Sequence, residues 1–175
     1  GLAFRINQDG TGMEVLAHNF RNSYELSVDS YGNMWQSDND SEVDACRTSW
    51  VLEGGNAGFF SRTGTRLWRA DQRPGQSLQT AHWHQEDPGT MPAGHLTGAG
   101  APTGITMIEG DELGKAFRGT LLSADAGRNT IFGYRPLVDG AGFDLSKGKP
   151  FIASISTDNK NYRWKEIDAD ERKWF

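Results

Sequence analysis

Three groups of residues in this chain have types and spacings that could do chemistry. The densest is His82-Trp83-His84-Gln85-Glu86. In an extended segment His82, His84 and Glu86 would share one face, with Trp83 and Gln85 on the other. Such a face could ligate a transition metal, or present a general base to a substrate hydroxyl. The alternative is a pair of imidazoles that tie down a long loop by hydrogen bonds. Asp38-Asn39-Asp40-Ser41-Glu42-Val43-Asp44 places hard oxygen ligands at alternate positions, and Asp38 and Asp40 are the candidate ligands for Ca²⁺. The loop is not an EF-hand, because Val43 stands where that loop needs Gly and Ser49 where it needs Glu. A solvated acidic loop is the competing reading.

Two arginine-asparagine pairs complete the inventory, Arg21-Asn22 and Arg128-Asn129. A guanidinium fork pairs with carboxylates in bidentate fashion, and an amide can donate to a carbonyl. Together the two pairs would form a patch that recognises an anion. Against this, Arg21 could bridge loops while Asn22 supports a turn, and Asn129 could supply the unusual backbone angles of a hairpin.

The elements that must position these residues are short strands. Leu2 to Ile6, Met13 to Ala17, Glu25 to Val28, Asn33 to Gln36 and Thr48 to Leu52 form a first series, bounded by Gly, Asn or Asp. Gly104 to Ile108, Gly119 to Ser123, Thr130 to Tyr134 and Phe151 to Ser156 form a second. Turns such as Asp9-Gly10 and Tyr31-Gly32-Asn33 suit successive antiparallel strands. Between the series lies Gly54 to Pro102, rich in Gly, Pro, Arg, Trp and His, which predicts a long functional insertion in one domain.

Composition sets the bounds. The 175 residues include 22 Gly and 6 Pro, a turn-rich balance, and six Trp, nine Phe and four Tyr to fill a core. Net charge is -5, with no basic run, so nothing offers the surface that nucleic acid requires. Cys46 is the only cysteine, which leaves no disulfide framework, no CxxC knuckle and no CxxCH haem attachment. No apolar run approaches the roughly 20 residues that span a bilayer. Motifs of nicotinamide dehydrogenases, P-loop hydrolases, zincins and serine hydrolases are absent.

The segment Phe20-Arg21-Asn22-Ser23-Tyr24-Glu25-Leu26, continuing through Asp29, Gly32, Met34-Trp35 and Asp38, carries a family resemblance. It resembles the RNP-x-x-L-x-x-D-x-x-G-x-L blade signature of glucose and sorbosone dehydrogenase-like propellers. The form it most resembles is that of the large membrane-bound or haem-containing dehydrogenase-like proteins of planctomycete-type bacteria. Ser23 stands where that family usually has Pro. The resemblance continues through Trp50 to Phe59, Ala81 to Gly89 and Thr97 to Ile105.

The resemblance implies an all-β partial β-propeller of about three blades of four-stranded antiparallel sheet. An arc of that size cannot close its own ring. It therefore implies an internal piece of a longer protein, with blades missing at both ends and the aromatic Trp174-Phe175 marking a cut. It further implies a quinone-dependent oxidoreductase using pyrroloquinoline quinone (PQQ) and Ca²⁺ on a sugar or aldehyde. Electrons would pass to a haem domain elsewhere or to a cytochrome c-type acceptor, in the periplasm or cell envelope. Arg21, Asn22, Arg128 and Asn129 become candidate contacts to the quinone, and the acidic loop lies near its Ca²⁺. The family's usual histidine base belongs to an earlier blade, which makes His84 a substitute. The alternative functions are a non-catalytic propeller binding carbohydrate or protein, and a structural scaffold.

Overall fold

The computed structural model describes residues 1–64, 72–146, 148–154 and 164–166. All nine expected strand sites carry strands. The first series holds β1 (Leu2–Arg5), β2 (Glu14–His18), β3 (Ser23–Val28), β4 (Met34–Asp38) and β5 (Cys46–Val51). The stretch from Gly54 to Pro102 is not bare loop. It contributes β6 (Gly55–Asn56), a five-residue helix α1 (Leu78–His82) and β7 (His95–Gly98). The second series holds β8 (Pro102–Ile108), β9 (Thr120–Asp125), β10 (Thr130–Tyr134) and β13 (Lys149–Ser154), followed by β14 (Trp164–Glu166). A small hairpin, β11 (Leu137–Asp139) and β12 (Gly142–Asp144), sits between β10 and β13. The aromatic end at Trp174-Phe175 lies outside the described residues, as do Ile155 and Ser156 of the ninth site.

These strands make a partial β-propeller. The central blade has strand order β3-β4-β5-β7, all antiparallel. On one side lies the three-stranded sheet β1-β2-β6, where β6 pairs with β2 in parallel. On the other lies a five-stranded sheet, β8-β9-β10-β13-β14, so strand number varies from blade to blade.

Packing explains why β4 and β5 hold no exposed residue. All five residues of β4 are buried. Alternation sends Met34 and Trp35 to opposite faces. Met34 joins a core with Ala17, Phe20, Val51, Phe59 and Trp83, while Trp35 joins a second core with Ile105, Leu121, Phe132 and Tyr134. The strand is thus sandwiched between two neighbouring blades. Side chains also cross the blade boundaries. Ser37 Oγ donates to Thr103 O at 2.9 Å, and Ile105 N donates to Glu25 Oε2 at 3.0 Å.

Among the described residues nothing covers one face of the first sheet. Leu2, Phe4, Ile6, Met13 and Val15 are each about half exposed, whereas Ala3, Leu16 and Ala17 turn into the core. Contiguous apolar exposure of this kind marks a surface built to be covered.

Candidate functional site

The sequence candidates meet at one end of the strands. Asp38 closes β4 and reaches back to the chain that enters β3. Its Oδ2 accepts Arg21 N at 3.0 Å and its Oδ1 accepts Asn22 N at 2.7 Å. Burial pushes its pKa up to about 6, even though these two bonds and Arg47 favour the charged form. Asn22 contributes its backbone, and its side chain is exposed.

Asp40, fully buried, is the centre of a second layer. Its Oδ1 accepts Glu42 N at 3.0 Å and faces Arg21 Nε at 3.6 Å. Its Oδ2 accepts Trp83 Nε1 at 2.6 Å and stands 3.3 Å from His82 Nε2. Trp83 arrives there because α1 ends just before it. Ser77 caps that helix, its Oγ accepting Thr80 N at 3.1 Å, and Gly58 (φ 89°) leaves room behind, since a Cβ there would lie 2.1 Å from Trp83 O. The Arg47 guanidinium lies 3.6 Å over the Trp83 ring. Burial lowers the Arg47 pKa to about 10, opposed by Asp38 and Asp40.

The His82-to-Glu86 segment is therefore not extended. His82 is the last residue of α1 and faces Asp40 and Glu42, whose Oε2 lies 3.8 Å from its Nε2. His84 has a positive φ of 50° and turns away from that group. Its Nδ1 donates to Gly58 O at 2.8 Å, the loop-tying arrangement. Glu86 is exposed, beside Arg73 and Gln76.

Arg21 is held from three sides. Its Nη1 donates to Asn39 O at 2.7 Å, its Nη2 to Glu42 Oε1 at 3.3 Å, and its Nε faces Asp40. Asn39 Nδ2 crosses to the next blade and donates to Gly100 O at 3.0 Å. There Asp125 accepts Ala101 N at 2.7 Å and Arg128 N at 3.1 Å. Both arginine-asparagine pairs thus lie on one rim, linked through Asn39 and Gly100. Arg128 is exposed on the β9–β10 turn, with Nη1 donating to Thr97 O, and Asn129 takes the left-handed angle of that turn at φ 51°.

The charges decide what this rim can hold. Around Arg21 stand three carboxylates, Asp38, Asp40 and Glu42, so an anionic ligand does not fit there. Each of the four oxygens of Asp38 and Asp40 accepts a hydrogen bond from the chain itself. Among the described residues no group of three or more His, Cys, Asp or Glu is arranged to hold a metal. Arg128 differs, being solvent-facing, with one side-chain hydrogen bond among the described residues, to Thr97 O, and its guanidinium 5.8 Å from the Phe132 ring centroid.

Trp83, Arg47, Asn39, Cys46 and Asp125 escaped the sequence reading of the site. Cys46 is buried, and its Sγ accepts Asp40 N at 3.2 Å, which helps hold the acidic loop; burial raises its thiol pKa. A strand with Cys46-Arg47 at its start offers no sign that both serve the loop before it.

No family model matches the chain, and no curated protein matches it. Solved structures do. An aldose sugar dehydrogenase of Streptomyces coelicolor in its PQQ-bound form matches with a TM-score of 0.55 and 16% identity, over 86% of this chain and 39% of that one. A crystal structure of a glucose dehydrogenase matches at 0.53 and 16%, over 83% and 39%. The soluble aldose sugar dehydrogenase of Escherichia coli in its apo-form matches at 0.50 and 13%, over 83% and 38%. The chain spans about two fifths of the length of these proteins. No helix among the described residues is long and apolar enough to cross a membrane. The chain has the propeller fold found in these sugar dehydrogenases.

Proposed function

We propose that this chain is part of the propeller of a sugar dehydrogenase-like oxidoreductase that works with a quinone of the PQQ class. The carrying observation is the fold shared with aldose sugar dehydrogenases over more than four fifths of the chain, one of them with PQQ bound. When bound, such a quinone supplies the acceptor for the two electrons of sugar oxidation. Arg128 would meet one of its carboxylates from the exposed turn, with Asn129 fixing that turn's backbone. Arg21 acts one layer beneath, holding the acidic loop so that the rim keeps its shape. The half-exposed apolar face of β1 and β2 packs against a further blade in this reading. Electron transfer to a cytochrome c-type acceptor and an envelope location belong to the same proposal.

The test is calorimetric titration of the full-length parent protein with PQQ, with and without Ca²⁺, followed by aldose oxidation with an artificial electron acceptor. Saturable binding is expected. Arg128→Ala should weaken it about tenfold or more, the worth of one charge-assisted pair, while costing the fold no more than the loss of its bond to Thr97 O, about 1 kcal/mol. Absence of binding under both conditions would overturn the proposal in favour of a non-catalytic propeller.

A further inference from the structure

A cleft opens at the opposite end of the strands from the Arg21–Arg128 rim. β3 starts beside Arg21-Asn22 and runs six residues to Val28, next to Asp29. At about 3.3 Å per residue its ends are roughly 20 Å apart. At the Asp29 end, between the central blade and the five-stranded sheet, lies a cavity of about 410 Å³. Its lining includes Tyr31, Asn33, Trp35, Glu109, Arg118 and Phe143. Phe143 belongs to the β11–β12 hairpin and packs against Trp35 with ring centroids 5.0 Å apart, which makes that hairpin one wall of the cleft.

The turn at its mouth is rigid. Asp29 accepts Tyr31 N and Asn33 N, each at 2.9 Å, Asn33 Nδ2 at 3.0 Å and Trp35 Nε1 at 3.1 Å. Four bonds to one carboxylate fix the loop that carries Tyr31, yet Tyr31 itself is 89% exposed. A large amphipathic ring held out on a fixed backbone is a poor solution for stability and a good one for stacking. Carboxylates outnumber cations in the lining, with Asp29 and Glu109 against Arg118. Glu109 Oε1 accepts Ser30 N at 2.9 Å, and Arg118 pairs with Asp111 at 2.9 Å. An anionic ligand would meet two carboxylates, Asp29 and Glu109, that face no cation among the described residues. A neutral one carrying several hydroxyls would find both donors and acceptors beside apolar rings, in a volume within the usual range of about 300–1,000 Å³ for ligand sites.

From this geometry we infer that the cleft is a binding site for a neutral mono- or disaccharide, separate from the Arg128 rim. The apolar C–H face of a sugar ring stacks on Tyr31, and its hydroxyls bond to Asn33, Glu109 and Arg118.

The test is titration of the full-length protein with glucose and with maltose, followed by calorimetry, on wild type, Tyr31→Ala, Glu109→Gln and Arg128→Ala. The expected result is saturable binding with Kd in the millimolar range, near -4 kcal/mol. Tyr31→Ala should weaken it by about tenfold, the effect of removing an aromatic anchor, and Glu109→Gln should weaken it less. Arg128→Ala should leave it unchanged. Tyr31 is almost fully exposed, so its removal leaves the core intact. Lack of saturation, equal affinity in Tyr31→Ala, or loss of binding in Arg128→Ala would each overturn the inference.

Discussion

Adjacent blades of this chain tie down their entry segments with the same device and then use it differently. In the central blade Asp38, at the end of β4, accepts the amides of Arg21 and Asn22 ahead of β3. In the next blade Asp125, at the end of β9, accepts the amide of Ala101 ahead of β8. One carboxylate per blade thus latches the second strand to the start of the first. Beyond that the two diverge. The central blade adds Asp40, Glu42, Arg47, His82 and Trp83 and draws the Arg21 side chain inward. The next blade adds only the backbone amide of Arg128 to its carboxylate and keeps the Arg128 side chain on the exposed turn, where it donates to Thr97 O. Identical Arg-Asn dipeptides therefore do different jobs. The first braces the rim and the second is presented on it.

The sharpest way to break this contrast is to remove the acid that only the central blade has. Asp40→Ala deletes the acceptor of Trp83 Nε1 and the partner of Arg21 and His82, and leaves Arg47 buried beside fewer carboxylates. Uncompensated buried charge of this kind costs about 3–5 kcal/mol. Denaturant unfolding should register that loss. A cost below about 1 kcal/mol, the level of an exposed pair, would mean that the cluster is not the brace described here.

The latch itself gives a pH signature in the central blade. Asp38 has a folded pKa of about 6, raised by burial from 3.8. The folded state then binds the proton more tightly than the unfolded chain between those two values. Stability from this group is full below about pH 4 and is lost as pH rises to about 6, by up to ~3 kcal/mol. Asp29 works at lower pH and in the other sense. Burial opposes its ionisation, but its hydrogen bonds prevail and lower its pKa. His95, lowered by burial and by Arg128, gains stability as pH rises toward 6.5. The informative quantity is thus the difference between wild type and Asp38→Asn, which should shrink or change sign between pH 4 and 6. A difference constant across that window would remove Asp38 as the titrating latch.

The strands were legible because their signals are local. Asp9-Gly10 and Tyr31-Gly32-Asn33 announce turns, and short runs rich in apolar and β-branched residues lie between such signals. β7 was not legible, because four residues following Pro92-Ala93-Gly94 become a strand only by pairing with Cys46 to Thr48 of β5. The hairpin β11–β12 did carry a signal in Asp139-Gly140, but its arms are three residues each. At the site, Arg21, Asn22, Asp38 and Asp40 could be picked out by type. Their partners could not. Trp83 reaches Asp40 across 43 positions, and the helix that delivers it is five residues long, too short to show a period. Alternation in His82-Trp83-His84 suggested a strand, whereas Ser77 with Thr80 three residues on was the truer cue, a helix cap.

The smallest expected effect tests the next blade's version of the latch. Gly100 stands ahead of β8 much as Arg21 stands ahead of β3, yet no side chain can be carried there. A Cβ on Gly100 would lie 2.2 Å from Asp125 Oδ2 and 2.7 Å from Oδ1. Asp125 is 3% exposed and anchored to Ala101 N and Arg128 N, so it cannot move aside without giving up an anchor. Gly100→Ala should therefore cost about 1–3 kcal/mol, the range for overpacking a buried site. It should also speed amide exchange at Ala101 and Arg128, since those hydrogens lose their acceptor, while amides at Arg21 and Asn22 keep their protection under Asp38. Faster exchange in both blades would show that the bridge from Asn39 to Gly100 couples the latches into one unit; unchanged exchange at Ala101 and Arg128 would show that Asp125 does not hold its blade as Asp38 holds the other.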